Sequence, residues 1–159
     1  MKPRVHCSES GTALIELAVS IPIFIVLILG TAEIANLAWS SVQINNAARA
    51  GASFGSLSRA NSADLTHIQA AAQNEAPKFI TDPATQVTST QVCYCVTAGV
   101  PGAADKGCTS TTLFTCAAPS IIQIAVQVNV QAPVTTVIHY PGLPASYTVR
   151  SQATMGVEQ

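Results

Sequence analysis

The sequence predicts an α+β protein in which one long N-terminal helix crosses a membrane and continues into a small domain. That domain is expected to hold a second helix and an antiparallel sheet of three or four strands. Two observations predict this class. An uncharged apolar run, Leu17–Ala32, lies near the N-terminus of the 159-residue chain. From residue 85 onward, apolar residues recur at every second position, which is typical of strands with one covered face.

The overall composition sets the broad class of protein. The length suits one domain plus one membrane segment. Only 9% of the residues are charged and 48% are hydrophobic, whereas about a quarter of the residues of a typical soluble domain are charged. The net charge is −1 and the basic residues do not cluster. Nucleic-acid binding, which needs a basic surface, is therefore not expected.

The apolar run and its flanking charges predict a single-pass membrane topology. A helix from Thr12 to Glu33 would rise about 32 Å, close to the thickness of the hydrocarbon core. Lys2 and Arg4 precede it, and no further Lys or Arg occurs before Arg49. This asymmetry predicts a cytoplasmic N-terminus. The predicted units are a leader, a transmembrane helix and an extracytoplasmic domain, at residues 1–11, 12–35 and 36–159.

The helix is expected to continue to residue 55, and its end is rich in small residues. Ala47, Gly51 and Gly55 recur at every fourth position and therefore share one face. Such a face allows another element to approach closely, although an ordinary alanine-rich helix would show the same composition. Gly55 could also terminate the helix.

A second helix is predicted from Ala63 to Ala76, with Asn61 or Ser62 as its cap and Pro77 after its end. Its apolar face would consist of Leu65, Ile68 and Ala72.

Period-two segments define the strands of the region 85–159. The segment from Thr97 to Ser120, which is rich in Gly, Pro and Cys, is predicted to be a loop. The predicted strands cover residues 92–96, 122–131, 134–140 and 147–157.

Four of the five cysteines lie within 24 residues on the predicted outer side, at positions Cys93, Cys95, Cys108 and Cys116. An even cluster of this kind predicts two disulfides, whereas Cys7 in the leader would remain a thiol. In an extended strand Cys93 and Cys95 would project from one face about 7 Å apart, beyond disulfide reach. Each is therefore expected to pair with Cys108 or Cys116, in either of the two combinations.

The most informative motif stands at the start of the apolar helix. Gly11 precedes the helix, and Glu16 is a lone carboxylate inside it. A charge at the centre of a membrane helix costs about 3 kcal/mol and needs a partner or a purpose. An ordinary secretory signal has no use for it and is cut after the apolar stretch. A leader, a Gly and then a Glu at the fifth position is instead the arrangement of prepilin-type (class III) signals, which are cut before the helix.

Residues 11–55 resemble the TadE-like (TadE or TadF type) pseudopilins of the Tad (Flp) pilus assembly system, which are pilin-like. The sequence here has Leu17 where many relatives carry Phe or Tyr. The matching elements are Thr12-Ala13-Leu14-Ile15-Glu16-Leu17-Ala18, Pro22, Gly30-Thr31-Ala32-Glu33 and Ala47-Ala48-Arg49-Ala50-Gly51-Ala52.

The resemblance implies a function in pilus biogenesis. Prepilin peptidase would cut between Gly11 and Thr12, and Glu16 would serve subunit recognition by meeting the new N-terminal amine of a neighbour. The implied partners are other Tad pilins or pseudopilins, the inner-membrane assembly platform and the lipid bilayer. Glu33 is interpreted as an outer membrane-interface residue. The implied location is the bacterial inner membrane, with the domain in the periplasm or incorporated in a surface pilus.

Two other functions are compatible with the same residues. One is an uncleaved membrane anchor with an outer domain for binding or adhesion. The other is a secreted protein cut after Ala32 or Ala38.

An enzyme is not expected, because the outer region has two histidines, few acids and no nucleophile or metal-ligand motif. No cofactor or metal is expected, since Cys93-x-Cys95 does not fit zinc spacing.

Overall fold

The computed structural model describes residues 10–75, 85–105, 116–138 and 144–158. It confirms the predicted α+β class, with a long N-terminal helix and a four-stranded antiparallel sheet. Pro77, the predicted end signal of the second helix, lies outside these residues. The helices are α1 (Ser10–Ser56), α2 (Arg59–Ala63) and α3 (Leu65–Glu75), and the strands are β1 (Gln86–Thr97), β2 (Val100–Asp105), β3 (Ile121–Thr135) and β4 (Ser146–Gly156).

Helix α1 has 47 residues and is therefore about 70 Å long. A single long helix was predicted here, and Pro22 lies within it. Apolar side chains of its first part are exposed, as Leu14 (66%) and Phe24 (62%) illustrate. Burial begins in the second part, where Ile44 is fully covered. The first part is thus suited to a lipid environment, and the second belongs to the domain core.

The sheet has the strand order β2-β1-β3-β4, and all neighbours are antiparallel. The prediction that Thr97–Ser120 is a loop was wrong at its start, because β2 forms a hairpin with β1. The two residues between these strands, Ala98 and Gly99, have φ values of 51° and 81°. Positive φ at both positions is the geometry of a type I′ turn, which matches the twist of a two-strand hairpin.

The alternation predicted for β3 is confirmed over most of its length, although Ile122 is partly exposed. The separate strand predicted at 134–140 was wrong, because Val134 and Thr135 are the end of β3. Residues 139 and 140 lie outside the described ranges. The buried row of β3 consists of Ile124, Val126, Val128, Val130, Ala132 and Val134.

The core lies between the inner face of the sheet and the helices α1 and α3. The predicted small face of α1 is confirmed, because a Cβ on Gly51 would lie 3.0 Å from Ala72 Cβ. A Cβ on Gly55 would lie 2.9 Å from Val126 Cγ1. Gly55 was wrongly predicted to end the helix, which runs on to Ser56. Its missing side chain makes room for β3 instead.

The predicted second helix, Ala63–Ala76, corresponds to α3, which begins at Leu65. The predicted caps were wrong, because Asn61 and Ser62 lie within the separate short helix α2. Ser58 caps α2 by accepting a hydrogen bond from the Asn61 backbone N–H (3.1 Å). Asp64 lies between the helices, and its carboxylate accepts one from the His67 backbone N–H (3.1 Å). This bond to the ionised form lowers the pKa of Asp64. Ile68 and Ala72 are buried as predicted, whereas Leu65 is 40% exposed.

Candidate functional site

The prepilin-like motif lies in the first turns of α1. Gly11, Thr12 and Glu16 are all helical and exposed. A Cβ on Gly11 would meet no atom of the described residues within 4 Å. The backbone on either side of the Gly11–Thr12 bond is therefore not covered by other described parts of the chain.

Glu16 stands on this exposed segment among apolar side chains. Its backbone carbonyl accepts a hydrogen bond from Ser20 Oγ (2.7 Å), but its carboxylate has no ion pair with any described residue. Thr12 is one turn earlier, so its backbone nitrogen and the Glu16 carboxylate lie on the same side of the helix. A carboxylate in hydrocarbon is stabilised by a cation, and an N-terminal amine at Thr12 would carry such a charge if the chain were cut before this residue.

Glu33 and Asn36 form a second polar group on α1, one turn apart at the end of its exposed part. Glu33 Oε2 accepts a hydrogen bond from the Val137 backbone N–H (2.9 Å). Asn36 Nδ2 donates to the Thr135 carbonyl oxygen (3.3 Å). Sequence reasoning placed Glu33 at the outer membrane interface but missed both contacts. The sequence feature that could have indicated these contacts is the spacing of Glu33 and Asn36, two polar residues three positions apart in an apolar stretch.

These two hydrogen bonds add polar contacts to the packing of the sheet against α1. They hold the end of β3 and the start of the β3–β4 connection beside the last exposed turns of the helix. Thr136, just after β3, is joined to Ala145, just before β4, because its backbone N–H donates to the Ala145 carbonyl oxygen (3.1 Å). The domain is therefore fastened to α1 at the point where a 12–35 transmembrane segment would end.

The cysteines lie on β1 and beside the start of β3. Cys95 forms a disulfide with Cys116, which is one of the two partners that the sequence allowed. Cys93 is also disulfide-bonded and is almost fully buried in the core. Cys108 and Cys7 lie outside the described residues. The Cys95–Cys116 bond ties the strand β1 to the chain entering β3.

We expect loss of the Cys95–Cys116 bond to destabilise the domain. The bond joins residues 21 positions apart, and closing a loop of that size contributes about 3 kcal/mol by restricting the unfolded chain. Paired Ser substitutions at both positions should lower the free energy of unfolding by about this amount in urea titrations of the full chain in detergent micelles. Non-reducing peptide mapping of periplasm-derived protein should recover the linked peptides, and four free thiols would contradict the assignment.

A comparison with protein families finds one match, in the N-terminal part of the chain. Residues 11–53 match the family model described as TadE-like protein. The N-terminal segment is therefore similar to this family. No curated protein and no solved structure matches the chain.

The TadE-like segment coincides with α1 almost to its end at Ser56. It includes the exposed Gly11–Glu16 motif, the Glu33–Asn36 group and the small face at Gly51. This family suggests involvement in Tad pilus assembly, in association with a membrane and other pilus components. Within the described residues, α1 is one helix long and apolar enough to cross a membrane, which is compatible with a single-pass membrane protein.

Proposed function

We propose that this chain is a minor pseudopilin of Tad/Flp-type pilus biogenesis. Prepilin peptidase cuts it between Gly11 and Thr12, and α1 then holds it in the bacterial inner membrane with its domain in the periplasm. The observation that carries the proposal is the TadE-like match, which begins at Gly11 and includes the exposed carboxylate of Glu16, unpaired among the described residues. The role is one of assembly with other Tad pilins and the inner-membrane platform, without catalysis.

The packing of α1 supports retention of the helix in the mature protein. A cut after Ala32 or Ala38 would separate the apolar segment from the domain. The second cut would also remove Glu33 and Asn36, which bind the start of the β3–β4 connection and the end of β3. Leu37 packs partly against the core as well. Because the second half of α1 is part of the domain fold, a cut before α1 would leave the fold intact, whereas a cut within α1 would remove residues that contact the sheet.

Gly11→Val tests the processing step. A Cβ at Gly11 would meet no atom of the described residues within 4 Å, so an effect of Val on cleavage would not arise from a clash with that part of the fold. The branched side chain should obstruct the peptidase site and leave the precursor with its residues 1–11. Intact-mass measurement of the membrane fraction would show this, beside a wild-type chain that begins at Thr12.

Gly30→Val is the matched control, since Gly30 is on the same helix and a Cβ at this position would also meet no atom within 4 Å in the described part of the chain. It should be processed normally. A wild-type chain that begins at Met1 would instead favour the uncleaved anchor with an adhesive or binding domain. Normal processing of Gly11→Val would remove the basis of the proposed cleavage site.

A further inference from the structure

The strand β3 runs beside the second half of α1 in the opposite direction. At one end, a Cβ on Gly55 would lie 2.9 Å from Val126 Cγ1. At the other end, the Val137 backbone N–H donates to Glu33 Oε2 (2.9 Å). About 33 Å of helix separates Gly55 from Glu33, and about 36 Å of extended chain separates Val126 from Val137. Because the two lengths agree, the sheet is aligned with the helix axis, and Val137 is level with Glu33.

The level of Glu33 is the outer boundary of the hydrocarbon core in the membrane location of the proposed function, on which this inference rests. The helix from Thr12 to Glu33 is about 32 Å long, and the hydrocarbon core is about 30 Å thick. The headgroup regions bring the whole bilayer to about 40–45 Å, so each adds a layer of about 5–8 Å. The β3–β4 connection at Val137 therefore stands at the bottom of the outer headgroup layer, not above the membrane.

Two aromatic side chains lie at the outer side of that layer. Trp39 is six residues beyond Glu33, or about 9 Å along α1, and it is 62% exposed. Tyr147 on β4 pairs with Val134, three residues before Val137, or about 10 Å along the strand. Trp39 on the helix and Tyr147 on the sheet are thus at the same level. Trp and Tyr are enriched at the headgroup level of membrane proteins, because their rings are amphipathic.

The composition of this part of the domain suits an interfacial layer. Val137 is apolar and 63% exposed. Three described segments rise from its level without any Asp, Glu, Lys, Arg or His. They are residues 34–48, 132–138 and 144–149. The first charges above them are those of Arg49 on α1 and Arg150 on β4, about 24 Å and about 20 Å above Glu33. No side-chain charge on these segments therefore has to leave water when they enter the layer.

We propose that the base of the sheet, residues 135–138 and 144–147, is immersed in the headgroup layer of the periplasmic leaflet, with Trp39 and Tyr147 at the membrane surface. The partner of this surface is lipid. A deeper position is excluded, because irregular backbone exposed to lipid does not occur in the hydrocarbon region. The domain thus contacts the membrane through both α1 and the base of the sheet, and its strands stand along the membrane normal.

Depth-dependent fluorescence quenching of the full chain in phosphatidylcholine vesicles tests this position. The chain has one Trp, so Trp39 is itself a probe, and Val137→Trp in a Trp39→Phe background moves the probe to the base of the sheet. Lipids with a nitroxide on the headgroup should quench Trp39 best. Lipids with a nitroxide at the top of the acyl chain should quench the probe at position 137 best, because it lies about 9 Å deeper.

Val100→Trp in the same background is the matched control. Val100 is exposed to a similar degree, 68%, and it lies on β2 beside the start of β3, about 50 Å from Val137 along the sheet. Its probe should be quenched by neither lipid. Equally weak quenching at positions 100 and 137 would overturn the proposal. A blue-shifted emission at position 137 without quenching would also overturn it, because protein and not lipid would then cover the base.

Phe24→Trp in the same background separates this inference from the proposed function. Phe24 is exposed within the apolar part of α1, and its probe should be quenched best by a nitroxide at the far end of the acyl chain. Quenching there, without quenching at position 137, overturns only the immersion of the base. A probe at position 24 that no lipid quenches would contradict membrane anchoring, and with it both proposals.

Discussion

Glu16→Gln is expected to abolish pilus assembly while leaving membrane insertion, and largely leader cleavage, intact. The carboxylate is exposed on the apolar part of α1 and is unpaired among the described residues. An amide in its place costs less to insert into lipid but cannot neutralise the amine of an adjacent subunit. Blots for the processed chain and electron microscopy for surface pili, in the same strain, measure the two effects separately.

The matched control is Glu158→Gln, which makes the same chemical change outside the helix. It should leave both processing and piliation at wild-type levels. Thr12 and Glu16 of one chain could also neutralise each other, since they lie four positions apart. Normal piliation of the Glu16→Gln variant would therefore show that Glu16 acts within its own chain or only at the membrane interface.

Gly55→Val should strongly destabilise the domain. The first side-chain carbon at this position would lie 2.9 Å from Val126 Cγ1 and 3.0 Å from Ile68 Cδ1. Both neighbours are fully buried, so neither can move without disturbing the core. Overpacking of this kind costs about 1–3 kcal/mol, and the larger value is expected because Val adds two further methyl groups. Urea titration of the full chain in micelles, followed by circular dichroism, measures the change.

Ser53→Val is the control for the helix propensity of Val, because Ser53 is exposed on the same turn of α1. It should change the free energy of unfolding by less than about 0.5 kcal/mol. Equal stability of the two variants would contradict the close packing of α1 against β3.

Local patterns accounted for the elements that the sequence predicted well. An apolar and then alanine-rich run specifies a helix wherever it lies, so α1 was predicted within two residues of its observed ends. Strict alternation likewise identified β3 and β4. The strand β2 was not predicted, because it includes Pro101 and Gly102, which disfavour strands. Its extended form results from pairing with β1.

By itself, the sequence determined a membrane-length helix, the Gly11–Glu16 spacing at its start and a small face at Gly51. All three depend on residues close together in the chain. Only the tertiary structure decided what that face packs against and what Glu33 does. Glu33 and Val137 are 104 positions apart, and no local periodicity encodes a contact over that distance. Their hydrogen bond forms because the packing of α1 on β3 and β4 brings the end of the sheet to the helix.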